Sequence, residues 1–207
     1  KNRLGQDRGV FVPHGYNPEV HRPISVADDV KKIYECDASF IGGWSQHKED
    51  YLKYLVEKLP KIKLRIWGPS WVNCKLPILQ SNIEGKGVFG DLYATAIASS
   101  KINIALLSEQ VKGASSGDQI TSRTFHIPAA GGFMLHQSST EIADYFKPEV
   151  EASLFASKEE LVDKIDKWVK DNEGRESIRL KGYQRCLQNH SIDSRAQLII
   201  NEINGLL

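Results

Sequence analysis

The fold class the chain predicts is α/β: a doubly wound parallel sheet flanked by helices, with extra helices at the carboxyl end. Three observations predict it. Short apolar runs alternate with segments whose apolar residues recur at helical spacing, the pattern of right-handed crossovers between parallel strands. Ile102 to Leu107 (INIALL) is almost wholly apolar, as a strand covered on both faces must be. Glycine-bearing loops follow the strands, at the carboxyl edge where such sheets bind ligands.

Residues 10–23 hold two turn-forming groups of Pro, Gly and Asn and read as extended linker. Asp37 to Ile41 reads as a buried strand ending at Gly42-Gly43. Gln46 to Lys58 places Tyr51, Leu52, Leu55 and Val56 at helical spacing, with Ser45 as cap and Pro60 as stop. Lys63 to Trp67 alternates as a strand and stops at Gly68-Pro69. Residues 70–90 carry Pro77, Gly85, Gly87 and Gly90 and read as one long loop, more often functional than idle in a compact domain. A helix over 91–100 and a strand over 102–107 follow, then a short helix around 122–130. A strand at Phe133 to Leu135 comes after Gly131-Gly132, and the last strand is Ala152 to Phe155. Ser157 and Glu160 form a capping box for a helix bearing Leu161, Ile165, Trp168 and Val169. Two more helices are expected over 173–189 and 191–206.

The composition excludes several functions. With 41% hydrophobic and 26% charged residues and a net charge of +1, the chain has no basic field to hold nucleic acid. No apolar run approaches the roughly 20 residues a membrane-spanning helix needs. Cys36, Cys74 and Cys186 are far apart and form no CxxC, which fits a reducing, cytoplasmic setting better than a disulfide or zinc framework. The chain begins at Lys1 with a polar, signal-free stretch, so it reads as a piece of a longer protein. Residues 1–26 are then an interdomain linker or the end of a preceding domain, and 27–207 a ligand-binding domain.

The stretch Ser115 to Thr140 (SSGDQITSRTFHIPAAGGFMLHQSST) organises the rest. A small polar loop runs into a helix start, where backbone N–H groups face an anion. Ser122 and Thr124 add hydroxyls and Arg123 a fixed charge at the same place. The reading is a phosphate-bearing ligand; the plainer alternative is a junction capped by Thr121 or Ser122. Pro128 implies that the helix is short or distorted. Four loops, 42–48, 68–71, 108–121 and 137–140, fall on the same carboxyl edge.

Three stretches together resemble a known family. VFVPHGYNPEVHRP resembles the segment by which GT-B glycosyltransferases cross into the donor domain. FIGGWSQHKEDYLKYL with LRIWGPSW, and SRTFHIPAAGGFML, resemble the C-terminal domain of the CgeB and group 1 types. The resemblance implies a Rossmann-like domain, one half of a GT-B fold. It also implies a nucleoside-diphosphate sugar of UDP or GDP type as donor substrate, and neither a further cofactor nor a metal. The partner is an N-terminal acceptor domain of the same chain, which would supply any catalytic base, so no catalytic residue is assigned and the fragment alone should transfer nothing. In related enzymes two acidic residues separated by seven others mark the donor site, the second on the ribose. Asp118 stands at the first position and His126, a departure, at the second. Lys48, six residues after Gly42, matches a cation that neutralises the leaving diphosphate.

The expected donor-binding set is Gly42, Gly43, Trp44, Ser45, Lys48, Gly68, Pro69, Trp71, Asp118, Thr121, Ser122, Arg123, Thr124 and His126. In it, Gly42 and Gly43 admit the pyrophosphate, and Pro69 and Trp71 flank a nucleobase unless Trp71 lies in the core. The alternatives are a GT-B-like nucleotide-sugar epimerase and a non-catalytic nucleotide-binding domain with a decayed site.

Overall fold

The computed structural model describes residues 9–108 and 117–205. Five strands form one sheet: β1 (Cys36–Ile41), β2 (Leu64–Trp67), β3 (Ser100–Ala105), β4 (Met134–Gln137) and β5 (Ser153–Phe155). Their order is β2-β1-β3-β4-β5 and every pair is parallel. From β1 the chain steps outward to β2, then returns across β1 to β3. The loops after β1 and β3 therefore diverge, and a crevice opens between their carboxyl ends.

The nine helices assigned among these residues are α1 (Asp28–Tyr34), α2 (Gln46–Lys58), α3 (Pro77–Gln80), α4 (Asp91–Ala98), α5 (Arg123–Ala129), α6 (Ile142–Tyr145), α7 (Lys158–Lys170), α8 (Asn172–Asn189) and α9 (Ile192–Asn204). They cover both faces of the sheet. Ala38, Phe40, Ile102, Ile104 and Leu135 pack on one side with Leu52 and Leu55 of α2 and Leu161, Ile165 and Trp168 of α7. Trp67, Ala105 and Met134 pack on the other with Ile97 of α4, Phe125 of α5 and Cys186 of α8. Each fully buried Leu or Ile contributes roughly 1.5–3 kcal/mol relative to exposure.

The doubly wound fold is as the sequence predicts, with boundaries moved by one or two residues. Residues 70–90 differ most. They contain a 3-10 turn at Trp71–Asn73 and helix α3 with Pro77 at its start, and Ile83 pairs with Ile66 alongside β2. Helices α1 and α6 were not anticipated, being seven and four residues long. At α7, Ser157 Oγ accepts the Glu160 N–H at 3.1 Å, but Glu160 Oε2 accepts from Ala156, one residue earlier than a capping box requires. Ser45 does not cap α2 through its side chain.

The segment read as linker is a strap clamped to the α8–α9 junction. Tyr16 N–H donates to His190 O and Ile192 N–H to Tyr16 O, while Arg195 Nε donates to His14 O. Residues 1–8 of the expected linker, 109–116 of the central loop and Leu206 of the last helix lie outside the described residues.

Candidate functional site

The loops after β1, β2 and β3 and the start of α5 meet on one edge. Trp44 N–H donates to Pro69 O at 3.0 Å, and Trp71 Nε1–H donates to Gly42 O at 2.9 Å. Gly68 has φ +138°, and a Cβ there would run into the Gly42 carbonyl, so glycine alone lets the β1 and β2 loops touch. A Cβ on Gly42 would stand 2.7 Å from Arg123 Nη1.

Arg123 spans the crevice. Its Nη2 donates to Leu106 O just beyond β3 at 2.6 Å, and its guanidinium carbon lies 5.3 Å from the centre of the Phe40 ring of β1. Lys48 lies 5.9 Å from the same ring, and its amine donates to Gly43 O at 3.0 Å. Both cations are buried, Lys48 to 4% and Arg123 to 9% exposure. Burial, then the Arg123 charge, pulls the Lys48 amine down to about 8, with Asp118 opposing. Burial likewise lowers Arg123.

Five buried side-chain polar atoms among the described residues lack a hydrogen-bond partner: Ser45 Oγ, Tyr93 OH, Ser99 Oγ, Thr121 Oγ1 and Arg123 Nε. Four belong to the carboxyl edge or the helix lining it; only Ser99 lies at the far end of the sheet, just before β3. Orphaned donors are rare inside folded proteins, and two of these residues, Tyr93 and Arg123, line one cleft, where a polar ligand would complete the structure.

A cleft of about 310 Å³ opens there, lined by Gly42, Ser122, Arg123 and His126 of the expected set. His21 of the strap, Val88 and Phe89 of the preceding loop and Tyr93 of α4 also line it, and the sequence reading missed them. The three glycines of the 70–90 loop pointed to the right region, and Phe89 is 79% exposed at the cleft. Nothing in the sequence separated Tyr93 from an ordinary core aromatic.

Other members of the expected set have other places. Trp71 is 2% exposed and edge-on to Phe40 at 6.1 Å, so it is the core tryptophan of the two readings and holds the β1 loop through its indole N–H. Trp44 Nε1–H donates to Glu49 at 2.7 Å. Asp118 accepts the Ser108 N–H at 3.0 Å and lines a neighbouring cleft with His14 and Glu141. Neither Thr121 nor Ser122 caps α5 through its side chain.

Thr124 is fully buried. His136 Nδ1 faces the Gln137 carbonyl at 2.6 Å and so carries the proton, which leaves Nε2 to accept the Thr124 hydroxyl at 2.8 Å. That hydroxyl in turn accepts the Thr121 N–H at 3.0 Å. Its bonds brace the first turn of α5 from beneath. His126 does not stand free either: its Nε2 faces the Gly15 carbonyl at 3.3 Å.

The glycosyl transferase-like family matches residues 47–201. No curated protein matches the chain significantly. Among solved structures, HepE from Anabaena in complex with UDP and glucose superposes with a TM-score of 0.71 at 10% identity, covering 93% of this chain and 56% of that one. Sucrose-phosphate synthase from Thermosynechococcus elongatus gives 0.68 at 11% identity over 94% and 52%. The C-terminal domain of the group 1 glycosyl transferase LpcC from Francisella tularensis gives 0.63 at 14% identity over 86% of this chain and all of that one. The chain thus spans about half the length of the first two. Among the described residues no helix is long and apolar enough to cross a membrane. Matched over most of its length and folded as a five-stranded parallel Rossmann-like sheet, the chain belongs to the glycosyl transferase-like family.

Proposed function

We propose that the carboxyl-edge cleft holds the nucleoside diphosphate of a sugar donor, of UDP or GDP type, and that the chain is the donor-binding half of a glycosyltransferase. One observation carries this reading: two buried cations, Lys48 and Arg123, lie against the Phe40 ring at the β1–β3 crevice, and Arg123 lines the cleft there with Tyr93, each bearing an orphaned polar atom. The HepE structures with UDP and with UDP-glucose support it by likeness of fold.

Sugar transfer builds negative charge on the departing diphosphate. Arg123 and Lys48, held in place before the reaction, stabilise that charge without reorganising. Acceptor and general base are assigned to a preceding domain of the same protein, so these residues alone transfer nothing.

The test is thermal shift and calorimetry with UDP, GDP and ADP. Ligand at 100 times its dissociation constant stabilises by about 2.7 kcal/mol. Arg123→Ala should weaken binding by roughly tenfold or more, the worth of a charged hydrogen bond. Lys170→Ala should leave it unchanged, since Lys170 sits exposed on α7 paired with Asp166. Silence with all three nucleotides, or sugar transfer by the chain alone, defeats the proposal.

A further inference from the structure

The amino edge of the sheet carries a cavity of its own. It measures about 420 Å³ and lies where β3 and β4 begin, beside Ser99, Lys101, Gly131 and Gly132, with α1, α8 and the end of the strap around it. Doubly wound sheets bind their ligands at the carboxyl edge, so the cleft already described does not account for it. Its size is that of a small-molecule site.

Two buried groups that line it lack what burial demands. Ser99 is 4% exposed, and its Oγ has no hydrogen-bond partner among the described residues. Rotation about a single bond re-aims that hydroxyl. Arg175 is 7% exposed, and its guanidinium meets neutral acceptors: Nη1 donates to Trp168 O and Nη2 to Asn172 Oδ1. Among the described residues no carboxylate pairs with it. A buried charge without a counter-ion is costly. The carbonyl end of α7, which Arg175 caps, offsets part of that cost, and an anion would offset the rest.

Three more cations line the cavity. Lys31 of α1 is in no ion pair among the described residues, Arg179 of α8 holds Glu176 and the Gly131 carbonyl, and Lys101 holds Asp37. Glu35, the other carboxylate that lines it, is exposed to water. A phosphate suits this setting better than a carboxylate. It brings about two negative charges and three acceptor oxygens to donors that arrive from three separate elements. We propose that the amino-edge cavity is a second ligand site, for a phosphate group, free or carried as a monoester by a small molecule. Lys31, Arg175 and Arg179 grip it and the Ser99 hydroxyl completes its hydrogen bonds. What the carboxyl-edge cleft holds does not bear on this site.

Amide NMR of the whole chain tests it, with inorganic phosphate, glycerol 3-phosphate and acetate titrated at fixed ionic strength. The amides of Ser99, Lys101, Gly131 and Gly132 should shift saturably with phosphate, whatever happens at Gly42 and Gly43 on the opposite edge. Tighter binding of glycerol 3-phosphate than of inorganic phosphate identifies a monoester ligand, and the reverse identifies the free ion. Arg179→Gln should weaken phosphate binding by about threefold to tenfold. Ser99→Ala should weaken it by about threefold and leave the urea midpoint of the free protein unchanged or higher, since it deletes an unpaired buried hydroxyl. A serine needed only for structure would lower that midpoint and leave the affinity alone. The wild-type shift map stands whether or not either variant folds. No saturable shift at these amides, acetate binding as tightly as phosphate, or unchanged affinity in either variant overturns the proposal.

Discussion

Lys48 is a lysine whose charge the fold makes conditional. Its amine is held at about 8 by burial and by Arg123, and an anion in the cleft favours the protonated form. Below pH 8 the amine is charged and attracts a diphosphate; above it the attraction is lost. Nucleotide affinity should therefore fall by up to about tenfold between pH 7 and pH 9. Lys48→Met should bind more weakly throughout and lose that dependence, as calorimetry at the two pH values would show. A flat wild-type profile would remove Lys48 from the contact. The residue type and its distance from Gly42 were legible in the sequence. Its burial was not, because that depends on Phe40 and Arg123 arriving from other parts of the chain.

Among the elements, α5 shows how a short helix is held where its own length cannot hold it. Seven residues with Pro128 inside are too few to be stable alone. The Thr121–Thr124–His136 chain of hydrogen bonds fastens its first turn to β4. Thr124→Val keeps the shape but leaves a buried N–H and a buried imidazole nitrogen unpaired, a cost of about 2–4 kcal/mol in urea denaturation. Gly68→Ala, which forces a side chain into a left-handed residue against the Gly42 carbonyl, should cost more than about 1 kcal/mol by the same measurement. Helices α2 and α7 were readable because 13 residues complete several periods of an apolar face. Helices α1, α3 and α6 were not, since four to seven residues complete barely one or two turns.

At the scale of the whole molecule, three imidazoles, His136 and His190 buried and His126 partly so, set the acid limit. Burial holds His126 at about 3 and His136 and His190 at about 4, against 6.5 in the unfolded chain. Between those values and pH 6.5 the unfolded chain binds protons that the folded one does not, so stability falls as pH falls. His136 alone accounts for about 2 kcal/mol at pH 5. Urea midpoints measured from pH 7 to pH 5 should show uptake of two to three protons on unfolding; no pH dependence would mean that these rings charge freely in the fold.

The sequence by itself determined the alternation of strands and helices, the parallel sheet and the edge on which the glycine loops fall, because apolar period and turn chemistry are local. Only the tertiary structure decided that Thr124 and Trp71 face inward, and that His21 and Tyr93 close the cleft with Arg123. Those choices follow from which elements pack together, and that is settled by burial summed over residues distant along the chain.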